Sequence, residues 1–151
     1  MTNKIGDARH LKDEIKDLVG KKLPICIDVD GTVVFHHYPK LGKDAPHCVE
    51  TLKKWTDNGV GLIIDTMRSG KELEAAIKWF KDRDIPIYGV GKEPGQSKWT
   101  DSPKAYGVLS IDDRNVGVPL IYEDGERPCV DWKKIDKEYS ESILKLAENY
   151  K

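Results

Sequence analysis

The chain has 151 residues, room for a single domain and little else. Lys plus Arg number 25 against 26 for Asp plus Glu, so a formal net charge of -1 gives no global pull toward nucleic acid, although a local basic patch stays open. Charged residues make up 34%, above the usual quarter, and no apolar run approaches the roughly 20 residues that span a bilayer, so no membrane role is expected.

Residues 1 to 12 are polar and charged, without the apolar stretch of a signal peptide, and the expected location is cytoplasmic. Cys26, Cys48 and Cys129 are odd in number and contain no Cys-x-x-Cys pair, so they read as small buried or incidental thiols. In chain order, a helix is predicted over 7–19, with Leu11, Ile15, Leu18 and Val19 on one stripe and Gly20 as its stop. An apolar strand follows over 23–28. Pro46 then opens a helix that carries Val49, Leu52 and Trp55 inward and closes at Asn58 and Gly59. A second apolar strand spans 60–66. Ser69, with Glu72 three residues on, forms a capping box ahead of a helix whose stripe is Leu73, Ala76, Ile77 and Phe80. A third strand covers 85–90, a polar Gly- and Pro-containing stretch 91–103, and a fourth strand 107–112. An outer helix over 133–150 repeats Ile135, Tyr139, Ile143, Leu146 and Tyr150. Continuous apolar strands separated by amphipathic helices predict an α/β fold, a Rossmann-like three-layer sandwich whose central parallel sheet is covered on both faces. Residues 1–151 form one domain in this reading, with the active site at the carboxyl ends of the strands.

Three of those strand ends are chemically loaded. Asp28, Val29, Asp30, Gly31 and Thr32 set two carboxylates side by side, since alternate residues share a face until the turn at Gly31 frees the backbone. One carboxylate can attack while the other handles protons, which makes the run a site for a divalent metal and a phosphate. Thr66, Met67, Arg68, Ser69 and Gly70 place a hydroxyl, a guanidinium and free amides at a helix N-terminus, a natural phosphate cradle. Thr66 is expected to hold phosphoryl oxygens there, and Arg68 to grip the phosphate or the rest of the substrate. Asp112 and Asp113 add a third acidic group, and adjacent buried carboxylates repel unless a hard cation such as Mg²⁺ joins them. His36, His37 and Tyr38 follow the first acidic run in a loop that either contacts substrate or is plain surface, and no partner at ligand spacing makes them a zinc site. Trp55 and Trp79 sit at helical packing positions. Trp99 is open between a pocket wall, a base-stacking surface and a satellite core, and Trp132 stays unassigned.

Asp-Val-Asp-Gly-Thr at 28–32, Thr-Met-Arg-Ser-Gly at 66–70, Ser-Pro-Lys at 102–104 and Ile-Asp-Asp-Arg at 111–114 resemble the four ordered motifs of the haloacid dehalogenase superfamily of phosphohydrolases. The interval between the first two, residues 33 to 65, is 33 residues and already holds a helix, which resembles the capless group and small phosphatase-like proteins of bacteria and their viruses. Motifs one, two and four also resemble the phosphatase domain of polynucleotide kinase-phosphatase. The resemblance implies a fold without a cap domain and a Mg²⁺-dependent phosphomonoester hydrolase that works through an aspartyl-phosphate. Asp28 is then the nucleophile and Asp30 the general acid and base. Mg²⁺ lies between the Asp28 carboxylate, the Asp30 backbone carbonyl and the acids Asp112 and Asp113, with Asp113 the direct ligand. Gly31, Thr32, Met67 and Arg68 bind substrate, Thr66 holds the phosphoryl group, and Lys104 neutralises it. Lys104 is only eight positions before Asp112, closer than in many relatives, which keeps Lys92 as a competitor and Lys98 as a weaker one. The implied substrate is a phosphorylated small molecule, a nucleotide or a nucleic-acid end. The alternative is a catalytically idle phosphate-binding or regulatory module with the same fold.

Overall fold

The computed structural model describes residues 22–150, and the helix expected over 7–19 lies outside the described residues. Leu23–Ile27 (β1) is apolar throughout and fully buried. A hairpin of Val34–His37 (β2) and Lys40–Asp44 (β3) follows, then the helix Cys48–Asp57 (α1) and the strand Val60–Ile64 (β4). Next come the helix Gly70–Asp82 (α2), the short strand Gly89–Val90 (β5), a 3₁₀ turn at Gln96–Lys98, and Leu109–Ile111 (β6). A second hairpin, Leu120–Ile121 (β7) with Cys129–Val130 (β8), precedes the last helix, Trp132–Asn149 (α3).

The fold is α/β, built on a four-stranded sheet in the order β5-β4-β1-β6. All its pairings are parallel: β1 runs beside β4 from Leu23↔Val60 to Ile27↔Ile64 and beside β6 from Ile25↔Leu109 to Ile27↔Ile111. The chain steps outward from β1 to β4 and β5, then returns to the far side of β1. Strand order therefore reverses between β1 and β6, and a crevice opens beyond their carboxyl ends. Leu23, Ile25, Ile27, Leu62 and Ile64 share one face and merge with Leu52 and Trp55 of α1, Ala76 and Phe80 of α2, and Trp132 and Ile143 of α3 into one core. Each such side chain contributes on the order of 1.5–3 kcal/mol by leaving water. On the opposite face the connection 91–107 crosses the sheet: a Cβ on Gly107 would stand 2.7 Å from the Cys26 Sγ. Buried Gln96 organises that connection, accepting from the Tyr106 amide at 2.8 Å and donating to the Lys104 carbonyl at 2.6 Å. All three cysteines are buried and free, and burial pushes the Cys26 thiol up to about 11 and Cys129 to about 12.

Local chemistry explains where elements depart from expectation. The third strand keeps only its last two residues, because Pro86 has no N–H for the ladder and the Ile85 amide bonds back to Phe80 at the end of α2. Helix α1 begins at Cys48 rather than at Pro46, after His47 takes a left-handed φ of 68°. Ser69 does precede α2 in an extended conformation, yet its side chain makes no capping bond. In α3 the inward set is Trp132, Ile135, Ser140, Ile143 and Ala147, so Tyr139 and Leu146 are exposed. Ser140 is drawn inside because its hydroxyl accepts the Trp55 indole N–H at 2.8 Å. At the surface between α1 and α3, burial opposes the charge of Asp136, but bonds from Lys54, Ser140 and His47 hold its carboxyl down at about 2. No helix among the described residues is long and apolar enough to cross a membrane.

Trp132 ties this core to the loop after β1, its Nε1–H donating to the Thr32 carbonyl at 2.7 Å in a buried setting. Trp132→Phe keeps an aromatic ring but removes the indole N–H, leaving the Thr32 carbonyl only the weak Cys129 thiol as donor, so urea denaturation is expected to show a loss of about 1–3 kcal/mol.

Candidate functional site

The parallel ladder carries the acids to one place. Beyond Ile27 the Asp28 amide still bonds the Ile111 carbonyl, at 3.0 Å, which sets the end of β1 beside Asp112 and Asp113. The chain then turns back, with the Thr32 and Val33 amides both donating to the Val29 carbonyl. Gly31 makes the turn at φ 81°, and a Cβ there would lie 2.4 Å from Asp113 Oδ2. Glycine is required twice over, by the left-handed backbone and by the carboxylate packed on its Cα.

Thr32 is fully buried and joins the two acidic segments: its hydroxyl donates to Asp28 Oδ2 at 2.8 Å and accepts from the Asp113 amide at 3.1 Å. The sequence reading gave Thr32 a substrate contact. Its burial and these two bonds make it a positioning residue instead. The Val130 amide of β8 bonds the Gly31 carbonyl at 3.0 Å, so the turn is held from the second hairpin as well.

Asp28, Asp112 and Asp113 converge so that one oxygen from each lies within 4.8 Å of the others, a set of hard donors that suits a divalent cation with oxygen preference. Burial pushes the Asp28 carboxyl up to about 7, with Asp112 and Asp113 adding to the rise against the Thr32 bond. Asp113 is raised too, by burial and then by Asp112. Asp112 Oδ1 accepts from the Arg114 amide at 2.9 Å and lies 3.5 Å from its Nε, so part of Asp112 is spent in the turn.

Asp30 also lines the cleft but stands outside that trio of acids. Both its oxygens accept from Arg68, from Nε and Nη2, each at 2.7 Å. The rest of the guanidinium is also committed, with Nη1 bonding the Pro39 and Glu72 carbonyls and Nη2 the Lys40 carbonyl. A guanidinium has five N–H groups, and here each has an acceptor. With a side chain only 1% exposed, Arg68 is a clamp that fastens the β2–β3 turn to the first acidic loop and to α2. Arg68 lines the cleft, but where the expectation has it gripping the phosphate or the rest of the substrate, its N–H groups are all engaged within the protein.

Between these parts lies a cleft of about 480 Å³, a size that accommodates a whole small ligand. Asp28, Asp113 and Thr66 line it, and the Thr66 Oγ accepts from the Arg68 amide at 3.1 Å, which turns its own hydrogen toward other acceptors. His36 and Tyr38 enter from the hairpin, whose turn lays the Tyr38 ring 5.2 Å from the Arg68 guanidinium carbon. Exposed Met67, Arg114 and Arg127 complete the rim. His37 instead pairs with Glu126 at 2.7 Å, and Trp99 packs on Tyr106.

None of Lys92, Lys98 and Lys104 lines the cleft. Lys104 lies exposed in the connection ahead of β6, with its charge near Cys26. The cleft draws its positive charge from arginines instead. Sequence reasoning missed Arg127 and the hairpin that bears it. The available signal was Asp124-Gly125, a turn dipeptide between the short apolar pairs of β7 and β8.

No family model matches the chain, and no curated protein matches it either. Among solved structures, a conserved protein encoded by a Bacteroides thetaiotaomicron locus is 34% identical, with a TM-score of 0.67, over 80% of this chain and 92% of its own.

The raised Asp28 sets the sign of a pH effect. In the metal-free protein the folded state holds a proton on Asp28 that the unfolded chain releases near its ordinary value of 3.8, so stability falls as pH rises from about 4 to about 7. Asp28→Asn removes this penalty: its melting temperature is expected to exceed that of the wild type at pH 8 and to match it at pH 4. Gly31→Ala forces Asp113 aside, and calorimetric titration is expected to show Mg²⁺ affinity down by about tenfold or more.

Proposed function

The chain belongs to the same family as that conserved Bacteroides thetaiotaomicron protein, and for this member we propose a Mg²⁺-dependent phosphomonoester hydrolase of the haloacid dehalogenase type. The observation that carries the reading is Asp28 itself: a carboxylate lining a ligand-sized cleft, steadied by Thr32 and joined by two further acids at the point where strand order reverses. The four motifs supply the family resemblance, and the cytoplasm the expected setting. Substrates in this reading are phosphorylated small molecules, nucleotides or nucleic-acid ends.

The donor set and the electrostatic load on Asp28 both fit a hard divalent cation. Asp28, Asp113 and Asp112 would hold it, with the Asp30 backbone carbonyl as the remaining ligand that the resemblance implies. When bound it offsets the negative charge of the carboxylates and of the phosphoryl oxygens. Asp28 attacks phosphorus, forming an Asp28 O–P bond as the bond from phosphorus to the leaving oxygen breaks. Asp30, entering the step with a proton, gives it to that oxygen; as a carboxylate it then takes one from a water, which attacks phosphorus as the Asp28 O–P bond breaks, releasing inorganic phosphate and restoring Asp28. Arg68 fixes the Asp30 carboxylate for this exchange while leaving a second lone-pair direction on each oxygen. The Thr66 hydroxyl donates to a phosphoryl oxygen.

The same clamp favours a second reading. Asp30 bound on both oxygens, in a cleft with no lysine among its lining residues, describes a module that binds phosphate without turning it over.

Phosphate release from a panel of nucleotides, oligonucleotide ends and sugar phosphates separates the two. Hydrolysis that requires Mg²⁺ and falls by about 10⁴-fold or more in a folded Asp28→Asn protein is the expected result. Phosphate binding without release across the panel supports the idle module, and undiminished turnover by Asp28→Asn removes the covalent mechanism.

A further inference from the structure

Three arginines line the cleft, and their commitments differ. Arg68 has an acceptor for every N–H, and Arg114 lies beside Asp112. Arg127 has no carboxylate partner among the described residues: its one protein bond runs from Nη1 to His36 Nδ1, at 3.2 Å. Side chains of the first hairpin bond acids of the second, Lys43 to Glu123 at 3.0 Å and His37 to Glu126 at 2.7 Å. Glu123 and Glu126 are thus taken by other partners, and Arg127 lines the cleft with donors to spare.

The bond to His36 sharpens the point. An arginine cannot accept, so Nδ1 of His36 must, and the neutral ring then carries its hydrogen on Nε2 as a further donor. Two adjacent side chains that line one cleft, both donor-bearing and neither matched to a carboxylate, are suited to an anion. The phosphoryl group under attack has its own place beside Asp28 and Thr66. Arg127 and His36 line the same cleft and leave room in this reading for a second anion beside it.

Resting on the phosphohydrolase reading, we propose that Arg127 and His36 form a second anion subsite, and that the substrate is a phosphomonoester whose leaving group carries another anionic group. The subsite is held in place by backbone rather than by chance packing. Val130 bonds Gly31 at 3.0 Å, so β8 and the turn before it are anchored to the very loop that bears the nucleophile. Phosphate and carboxylate both match a guanidinium fork, and the choice between them is left to the comparison of ligands.

The test compares kcat/KM for paired substrates under the same Mg²⁺: a nucleoside 3′-monophosphate against the 3′,5′-bisphosphate, and glycerol phosphate against phosphoglycerate. The wild type is expected to favour the doubly anionic member by about tenfold or more, through KM, and Arg127→Ala to bring the ratio near one. The pair with the larger ratio identifies the anion. Hydrolysis with ratios that Arg127→Ala leaves unaltered overturns the subsite while sparing the phosphatase. If no substrate is hydrolysed, calorimetry of the bisphosphate with Mg²⁺-loaded protein decides: a tenfold loss of affinity in Arg127→Ala keeps the subsite, and equal binding overturns it.

Discussion

Three carboxylates at the ends of two neighbouring parallel strands repel one another, and much of the surrounding structure exists to keep them together. Taking such groups out of water costs several kcal/mol each unless they are compensated. Compensation here is structural. The Thr32 hydroxyl spans from the Asp28 carboxylate to the Asp113 amide, Gly31 gives up a side chain so that Asp113 can lie on its Cα, and Trp132 and Val130 fix the two carbonyls of that turn. The core beneath, with Ile27, Ile64, Trp55 and Trp132 fully buried, provides the stability against which this strain is set.

Arg68 is the second organising element. By spending all five donors inside the protein it binds the hairpin turn, the first acidic loop and the start of α2 into one unit. The cations differ accordingly: the buried Arg68 builds the wall, while Arg114 and Arg127 lie exposed at the rim. The hairpin 34–44 thereby forms a side of the cleft that an uncapped site would otherwise lack. A cleft walled by Tyr38 and His36 is shaped for a small anionic ligand as readily as for a nucleic-acid end.

The sheet was legible where a run of apolar residues allowed one reading. The stretches 23–28 and 60–66 became β1 and β4, and the acids at 28 and 112–113 met because parallel register forces strand ends together. Elements built from distant polar contacts were not legible. The hairpin β2–β3 is short, and beyond buried Val34 and Phe35 it rests on Arg68 and on bonds to Glu123 and Glu126, some eighty or more residues away in sequence. In α3, the difference between Tyr139 and Ser140 as the inward residue depends on an indole N–H from α1, which no periodicity contains. Lys104 matched a motif in type and order, but it lies in the connection ahead of β6 and is not among the residues that line the cleft. Arg68 matched as well, and its role changed because Asp30 lies within reach of its fork.

The central claim is that Asp28 becomes covalently attached to phosphorus. A rapid acid quench of Mg²⁺-loaded protein during turnover of a ³²P-labelled phosphomonoester tests it most directly. The account predicts label on the peptide that contains Asp28, removable by hydroxylamine as an acyl phosphate is, and none in the Asp28→Asn protein. Steady release of labelled phosphate with no labelled peptide at any quench time would contradict it.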